Sequence, residues 1–509
     1  MKYESVPSIC PYCGCGCGIL LQVLDGELVG VLPQKTHPIN TGKLCIKGWN
    51  CHVFVNSPKR LTTPLIRKEG KLEPASWDEA LDLIATKLGE VKKQSGPDSI
   101  AVFASAKCTN EENYIIQKFT RAVIGTNNVD HCARLCHSST VTGLGASFGS
   151  GAMTNSVPEF PEADVILITG SNTIEQHPLI GSWLLAAKEG GTKFIVSDPR
   201  EIPFARFADL YLQPRAGTDV AWLNGLMHII LKEGLEDKDF IRERTEDFEE
   251  FRKVIEKYDP DYVEKISCIP KEDLIKAARM FASAEKGSII YSMGITQHTT
   301  GTDNVQTIAN LAMLTGNVGR RGTGVNPLRG QNNVQGACDS GSLPDVFPGY
   351  QKVHIDELRE KMEKAWGVPL SGEPGLTVVE ASGAAREGKI KSFFIIGENP
   401  MLSDPDIQHV REALERLDFL VVQDIFLTQT AKLADVVLPA VSYAEKDGTF
   451  TATDRRVQKL TKAIEPVGEA RTDWEIICDI AKRMGAKGFD FTSTSEIMDE
   501  HASISPIYG

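Results

Sequence analysis

Four cysteines near the amino terminus constrain this chain more than any other feature. Cys10, Cys13, Cys17 and Cys45 are spaced Cys-x2-Cys-x3-Cys-x27-Cys, and the last opens the run Cys45-Ile46-Lys47-Gly48. A close triplet of thiols with a distant fourth suits an iron–sulfur cube, the triplet wrapping one side and the fourth thiol returning from a separate loop. Gly14, Gly16 and Gly18 lie between or just after the triplet. Glycine tolerates positive φ and lets backbone N–H groups approach sulfide. Cys15 is a further thiol in the run and an alternative to Cys17. Cys17 is preferred, because near-adjacent ligands such as Cys13 and Cys15 crowd one corner of a cube. A structural zinc site would show paired short Cys spacings, whereas this chain has one triplet and one singleton.

At 509 residues the chain exceeds a single core, and roughly three domains are expected. It is 41% hydrophobic and 24% charged, an ordinary globular composition. A net charge of −13 argues against a general nucleic-acid or membrane-surface role. No apolar run approaches the roughly 20 residues of a spanning helix. With the first cluster ligand already at Cys10, no signal peptide is expected. Twelve cysteines without an export signal predict a reducing cytoplasm, with thiols used for metal and redox work. Cys51, Cys108, Cys132, Cys268, Cys338 and Cys478 are expected to be buried small hydrophobes or local packing residues.

The body reads as helices alternating with short, fully apolar strands. Ser76-Trp77-Asp78-Glu79 predicts a capping box, continued at helical spacing by Leu81, Ile84, Leu88 and Val91. Strands are expected at 165–169, 194–196, 289–291, 393–396 and 419–422, since continuous apolar runs suit parallel strands buried on both faces. Each runs into Gly, Asn, Asp, Ser or Gln, at the position where open α/β sheets bind ligands. Repeated polar strand ends without a GxGxxG or P-loop favour a large nucleotide-bearing cofactor other than NAD or ATP.

Two segments are dense in reactive groups. In Asp130-His131-Cys132-Ala133-Arg134-Leu135-Cys136-His137, the adjacent Cys136 and His137 stand out. The imidazole can take a proton, Arg134 can help keep a thiolate charged, and the thiolate can act as nucleophile or soft metal ligand. In Asn326-Pro327-Leu328-Arg329-Gly330-Gln331-Asn332-Asn333-Val334-Gln335-Gly336-Ala337-Cys338-Asp339 there is almost no apolar face. Such a segment is not expected to be an ordinary core element. Its arginine, flanked by glycine, can present a fork to a carboxylate.

Together CPYCGCGCG…LCIKGWN, HCARLCHSS and NPLRGQNNVQGACDSGSLPDVFPGY resemble the catalytic subunit of formate dehydrogenases, within the molybdopterin oxidoreductases of the dimethyl sulfoxide reductase superfamily. Intermediate stretches such as LAMLTGNVG and VVQDIFLTQTAKLADVVLPA fit as well. The resemblance implies a [4Fe–4S] cluster on Cys10, Cys13, Cys17 and Cys45, and a bis-molybdopterin guanine dinucleotide carrying Mo or W. Cys136 matches a metal-ligand position often filled by selenocysteine, His137 the proton acceptor, and Arg329 the arginine that orients formate. Lys47 would lie in the electron path between cluster and pterin. Gly170, Asn172, Asp198, Asp219, Gly294, Gln297, Gly330, Gln331, Gly397, Asn399, Gln423 and Asp424 would line the dinucleotide sites.

The implied fold is α/β and multidomain, with two doubly wound, mostly parallel sheets around a cofactor cleft and a small iron–sulfur domain. The expected boundaries are 1–60 for that domain, with 450–509 packing on it, 61–138 plus 340–449 for one α/β domain, and 139–339 for the other. The family's carboxy-terminal cap domain is expected to lie outside this chain, for example on a separate subunit. Partners would be formate and an electron-accepting iron–sulfur or flavin subunit. A formylmethanofuran dehydrogenase or nitrate reductase type of enzyme remains an alternative, as does a metal-free electron-transfer scaffold. The presence of Cys136, His137, Lys47 and Arg329 weighs against the scaffold.

Overall fold

A computed structural model describes all 509 residues. Strands β1 (Tyr3–Ile9), β2 (Gly18–Leu24) and β3 (Glu27–Pro33) form an antiparallel sheet. Ile9 pairs with Gly18, so Cys10 to Cys17 is the connecting loop, closed by the Cys10 N–H donating to the Cys17 carbonyl at 2.9 Å. The thiol triplet is therefore carried on one hairpin loop, while Cys45 precedes the short helix Ile46–Trp49.

The chain then begins one sheet with β4 (Leu65–Lys68), β5 (Lys71–Pro74), β6 (Ile100–Ala104) and β7 (Val129–His131). It leaves to build a second from β8 (Val165–Thr169), β9 (Lys193–Ser197), β10 (Leu210–Leu212), β11 (Gly287–Tyr291) and β12 (Gly324–Pro327). This sheet is all parallel, in the order β10-β9-β8-β11-β12. A small hairpin, β13 (Val346–Phe347) and β14 (Gln351–Lys352), leads back to the first sheet. Strands β15 (Ser392–Ile396), β16 (Phe419–Asp424) and β17 (Val436–Pro439) complete it in the order β5-β4-β17-β16-β15-β6-β7. It is parallel from β17 to β7, with β4 and β5 antiparallel at the edge. A last hairpin pairs β18 (Gly448–Thr451) with β19 (Val457–Leu460).

All five apolar runs are strands, and each is sandwiched between helices. Val165 and Leu167 of β8 face a core shared with the helices Asp219–Glu233 and Gly301–Leu314. Ile166 and Ile168 face the opposite core, which continues into Ile19, Leu21 and Val23 of the amino-terminal module. Each such buried side chain contributes about 1.5–3 kcal/mol, so the cluster module is welded to one face of the five-stranded sheet. Strand order reverses between β8 and β11 in one sheet and between β6 and β15 in the other. These are the switch points at which crevices open beyond the carboxyl ends of parallel strands.

Four expectations need correction. Residues Asp473–Arg483 and Thr494–Ile504 form helices that pack on the helices Trp77–Ser95 and Asn110–Lys118 of the seven-stranded domain, because Ile476, Ile477, Ile480, Ile497 and Ile504 join its core. Only the β18–β19 region, through Phe450 and Leu460, shares the core of the cluster module. The capping box at Ser76 forms by half: Ser76 accepts from the Glu79 N–H, while the Glu79 carboxylate pairs with Lys68 at 2.8 Å. Cys268 is exposed, at a left-handed helix C-cap. The polar segment 326–339 lies mostly inside the protein: Asn326 and Pro327 belong to edge strand β12, and Val334–Asp339 is a fully buried helix. Proline is tolerated in β12 because one side of that strand has no ladder to lose.

Candidate active site and metal centre

The cluster loop brings its thiols together under burial. Desolvation pushes the Cys10 thiol up, and the neighbouring charges of Cys51, Cys13 and Cys45 add to this. A bond from Cys15 lowers Cys17, but burial and the charges of Cys10, Cys13 and Cys45 outweigh it. Cys17 thus faces both Cys10 and Cys45, whereas Cys15 is fully enclosed and bonded to Cys13, Cys17 and the Ile180 backbone. Thiols that resist ionisation in isolation are suited to a cationic metal cluster, which supplies the missing positive charge. Gly16 sits at φ +57, and a Cβ on Gly14 would lie 2.5 Å from the Arg329 carbonyl oxygen. The Gly14 N–H donates to that same carbonyl at 3.1 Å. The cluster loop therefore rests directly on the substrate-binding candidate.

Cys136 follows a short 3-10 turn after β7 and immediately precedes His137, the residue before helix Ser138–Phe148. Burial raises its thiol to about 11, against the lowering charge of Arg329 and the Gly330 N–H. A Cβ on Gly330 would stand 3.8 Å from the Cys136 Sγ. Arg329, then, is the cation that faces Cys136. Arg134, expected in that role, is instead paired with Asp130 at 2.9 Å. Thr296 Oγ1 donates to the Cys136 carbonyl at 2.6 Å and Gln297 Nε2 to the Leu135 carbonyl at 2.6 Å, so the segment after β11 fixes the Cys136 turn. His137 is fully buried; its Nε2–H donates to the Leu328 carbonyl at 3.0 Å and Nδ1 accepts from Thr140 Oγ1 at 3.2 Å. Burial, with the charges of Arg329 and His177, holds His137 neutral.

Arg329 is 1% exposed. Its Nε and Nη2 donate to Gln335 Oε1 at 3.2 and 3.0 Å, and Nη2 donates to the Gly151 carbonyl at 2.6 Å. Its Nη1 has no partner. A buried guanidinium nitrogen left free costs desolvation energy, so it fits a site for an anion. His177 Nε2 donates to the Arg329 carbonyl at 2.7 Å, and burial lowers this imidazole to about 4, helped by the charge of Lys47. Lys47 is half-buried, and its charge also reaches Cys13, so it lies near both the cluster loop and His177.

The strand-end residues divide into groups. At the β8–β11 switch point Gly170 and Gly294 touch, a Cβ on either falling 2.6 Å from the other's backbone. Nearby Asn172 is buried with Oδ1 unpartnered, and Ser197 Oγ at the end of β9 is also free. Burial raises Asp198 and Asp219; His298 lowers Asp219 and Asp198 raises it, which places the two acids near one another. At the β6–β15 switch point Ser105 Oγ donates to the Gly397 carbonyl at 2.9 Å. Asn399 is used within the protein, accepting from Thr430 Oγ1 at 2.7 Å and donating to Gln429. Gln423 is turned inward, donating to Asp473 at 2.5 Å, and Asp424, raised to about 6 by burial, accepts from the Ile425 and Phe426 N–H groups. Gln331 is half-buried beside Gly330, and the whole amide of Asn332 is buried without a partner. Unpaired buried amides and hydroxyls around glycine-lined strand ends suit a polar nucleotide-bearing group.

Sequence reasoning did not single out His177, Thr296, Thr140 or Tyr291. His177 is a lone histidine before a helix and carries no local signal.

The family model described as molybdopterin oxidoreductase matches residues 60–483, and the molybdopterin oxidoreductase Fe4S4 domain matches residues 3–57. The chain belongs to the molybdopterin oxidoreductases and, within them, to the formate dehydrogenase alpha subunits. It is 55% identical to the F420-dependent formate dehydrogenase 1 subunit alpha of Methanococcus maripaludis, covering 100% of this chain and 74% of that one. Against the F420-dependent formate dehydrogenase subunit alpha of Methanocaldococcus jannaschii the identity is 53%, with the same coverage. It is 45% identical to formate dehydrogenase H of Escherichia coli, over 99% of this chain and 72% of that one. The solved structure of acetylene hydratase from Pelobacter acetylenicus shares the fold, with a TM-score of 0.83 at 24% identity, covering 98% of this chain and 72% of the other.

Proposed function

We propose that this chain oxidises formate to carbon dioxide and passes the electrons to a partner subunit. The observation that carries this reading is the unpartnered Nη1 of buried Arg329 beside Cys136. Cys10, Cys13, Cys17 and Cys45 would hold the [4Fe–4S] cluster. Cys136 would ligate Mo or W of a bis-molybdopterin guanine dinucleotide, whose halves would be held by Gly170, Asn172, Asp198, Asp219, Gly294 and Gln297 and by Gly330, Gln331, Gly397 and Asp424. The side chains of Asn399 and Gln423 are engaged with Gln429, Thr430 and Asp473 and would instead brace the strand ends. When bound, that centre supplies the two-electron couple that accepts the electrons of the formate C–H bond as carbon dioxide leaves. Arg329 neutralises and orients the small anion through Nη1. His137 would take a proton at Nδ1, in place of the bond that Nδ1 accepts from Thr140 Oγ1, since its Nε2–H is committed to the Leu328 carbonyl. Burial of Cys136, His137 and Arg329 excludes water from the reaction.

Lys47 would ease electron exit toward the cluster by its positive charge. One cluster passes single electrons, so an iron–sulfur or flavin subunit would collect them, and the nearby relatives favour an F420-linked one. Ile46, Trp49 and Val53, exposed on the segment that follows Cys45, form an apolar face suited to that subunit. No helix is long and apolar enough to cross a membrane, and the thiol inventory supports a cytoplasmic setting. The test is formate-dependent reduction of a viologen dye by the holoenzyme. Turnover of nitrate or an N-formyl compound with none of formate would overturn the proposal.

A further inference from the structure

We infer that Gln335 and Asp339 are positioning residues for Arg329, a role that rests on the formate reading above. Helix Val334–Asp339 sets positions 335 and 339 one turn apart on the same face. Gln335 Oε1 holds the Nε/Nη2 edge of the guanidinium, and Gly151 takes the other Nη2 proton. Three of the five guanidinium N–H groups are thereby used, and both remaining ones sit on Nη1. The usual side-on clamp through Nε and Nη2 is closed to the substrate, so the anion is held by Nη1.

The amide cannot turn over. Its Nε2 donates to Asp339 Oδ1 at 2.7 Å and to Tyr350 OH at 3.2 Å. A flipped amide would press its oxygen on the Asp339 carboxylate and its NH2 on the guanidinium. Asp339 is itself fixed by Tyr350 OH, which donates to Oδ1 at 2.8 Å, and by Tyr508 OH, which donates to Oδ2 at 3.3 Å. Gln335 is 1% and Asp339 6% exposed, so solvent offers no competing partners. The amide is neutral, and this matters as much as its geometry. It occupies the edge of Arg329 without cancelling the charge, while the carboxylate that orients it is kept one residue away. Asp339 fixes the amide, the amide fixes the guanidinium, and no carboxylate pairs directly with Arg329, which leaves its charge to act on formate.

The test uses holoenzyme carrying Gln335→Leu, Gln335→Glu or Asp339→Leu, with cluster and metal content and Tm recorded for each. Formate affinity is measured by calorimetry on the dithionite-reduced enzyme, in which formate is not consumed, and KM and kcat by dye reduction. The relay predicts that Gln335→Leu and Asp339→Leu each raise the formate Kd and KM at least tenfold, with a smaller change in kcat. Gln335→Glu keeps both bonds to Arg329 but lowers Tm, because its second oxygen meets the Asp339 carboxylate, and it raises Kd more than Gln335→Leu does, because it cancels the charge. Variants that lose several degrees of Tm but bind formate like the wild type would show a purely structural network and overturn the inference. So would Gln335→Glu binding formate at the wild-type Kd. A wild-type enzyme inert to formate but active on another substrate would overturn the formate reading itself, and the relay's assignment with it.

Discussion

Cys136 and Arg329 lie side by side but do different work, and their loss should differ. Cys136→Ala removes a proposed metal ligand and should abolish formate turnover. Arg329→Ala removes a charge-assisted bond worth about 1.5–3 kcal/mol, so it should raise KM by roughly ten- to a hundredfold while metal content holds. Equal, complete inactivation of both at normal metal content would contradict these separate roles. Lys47→Ala should leave formate binding intact and slow reduction of the cluster, followed by electron paramagnetic resonance after a single turnover. Cluster reduction at the wild-type rate would remove Lys47 from the path. Glu398 sits between the two kinds of site residue, accepting from the Cys132 N–H at 2.7 Å. Burial raises its carboxyl to about 8, with Asp404 and Asp130 adding and the Cys132 bond opposing. The folded chain thus holds this proton more tightly than the unfolded one, so its contribution to stability falls as pH rises from the ordinary carboxylate range, about 4.3, through about 8. Glu398→Gln should flatten Tm between pH 5 and pH 9 and raise it at the alkaline end; an unchanged slope would show that Glu398 ionises without penalty.

Among the elements, legibility followed local pattern. The five apolar runs were readable because parallel strands buried on both faces need no polar alternation. β12 was not, since Gly324-Val325-Asn326-Pro327 reads as a loop and only the edge position in the sheet permits it. The polar segment was noticed for its arginine, yet its burial was invisible, because the partners of Asn333 and Gln335 come from 108 and 339 and from a tyrosine at 350. Cys136 and Arg329 could be named from motif, but which cation faces the thiol depends on a contact across the domain boundary. Arg121 shows the same limit more sharply. It lies in a π-helical stretch, Phe119–Ile124, and donates all five N–H groups, to Asn127, Gln117 and the carbonyls of Gly341, Leu343 and Val346. No carboxylate pairs with it, and burial lowers it to about 9. It pins the loop that leads from Asp339 to Tyr350. Arg121→Met would leave three buried carbonyls without donors and should cost about 3 kcal/mol or more, read as a lower midpoint in urea; an unchanged midpoint would mean water replaces the guanidinium.

On the scale of the whole molecule, each of two sheets has its own switch point, and the cluster module is fused to the five-stranded one through a common core. The Arg329 carbonyl joins these parts. It accepts from Gly14 of the cluster loop and from His177 of the five-stranded domain, while its side chain reaches Gln335 and Gly151. A single peptide unit is thus shared by the cluster loop and the proposed anion pocket. Cluster assembly and formate affinity are therefore expected to be coupled. Iron and sulfide bound to the loop thiols would hold the loop from which Gly14 braces the Arg329 carbonyl. Protein produced under iron starvation, even when supplied with molybdenum and pterin, should accumulate as a form that binds formate poorly and gains affinity only after cluster reconstitution.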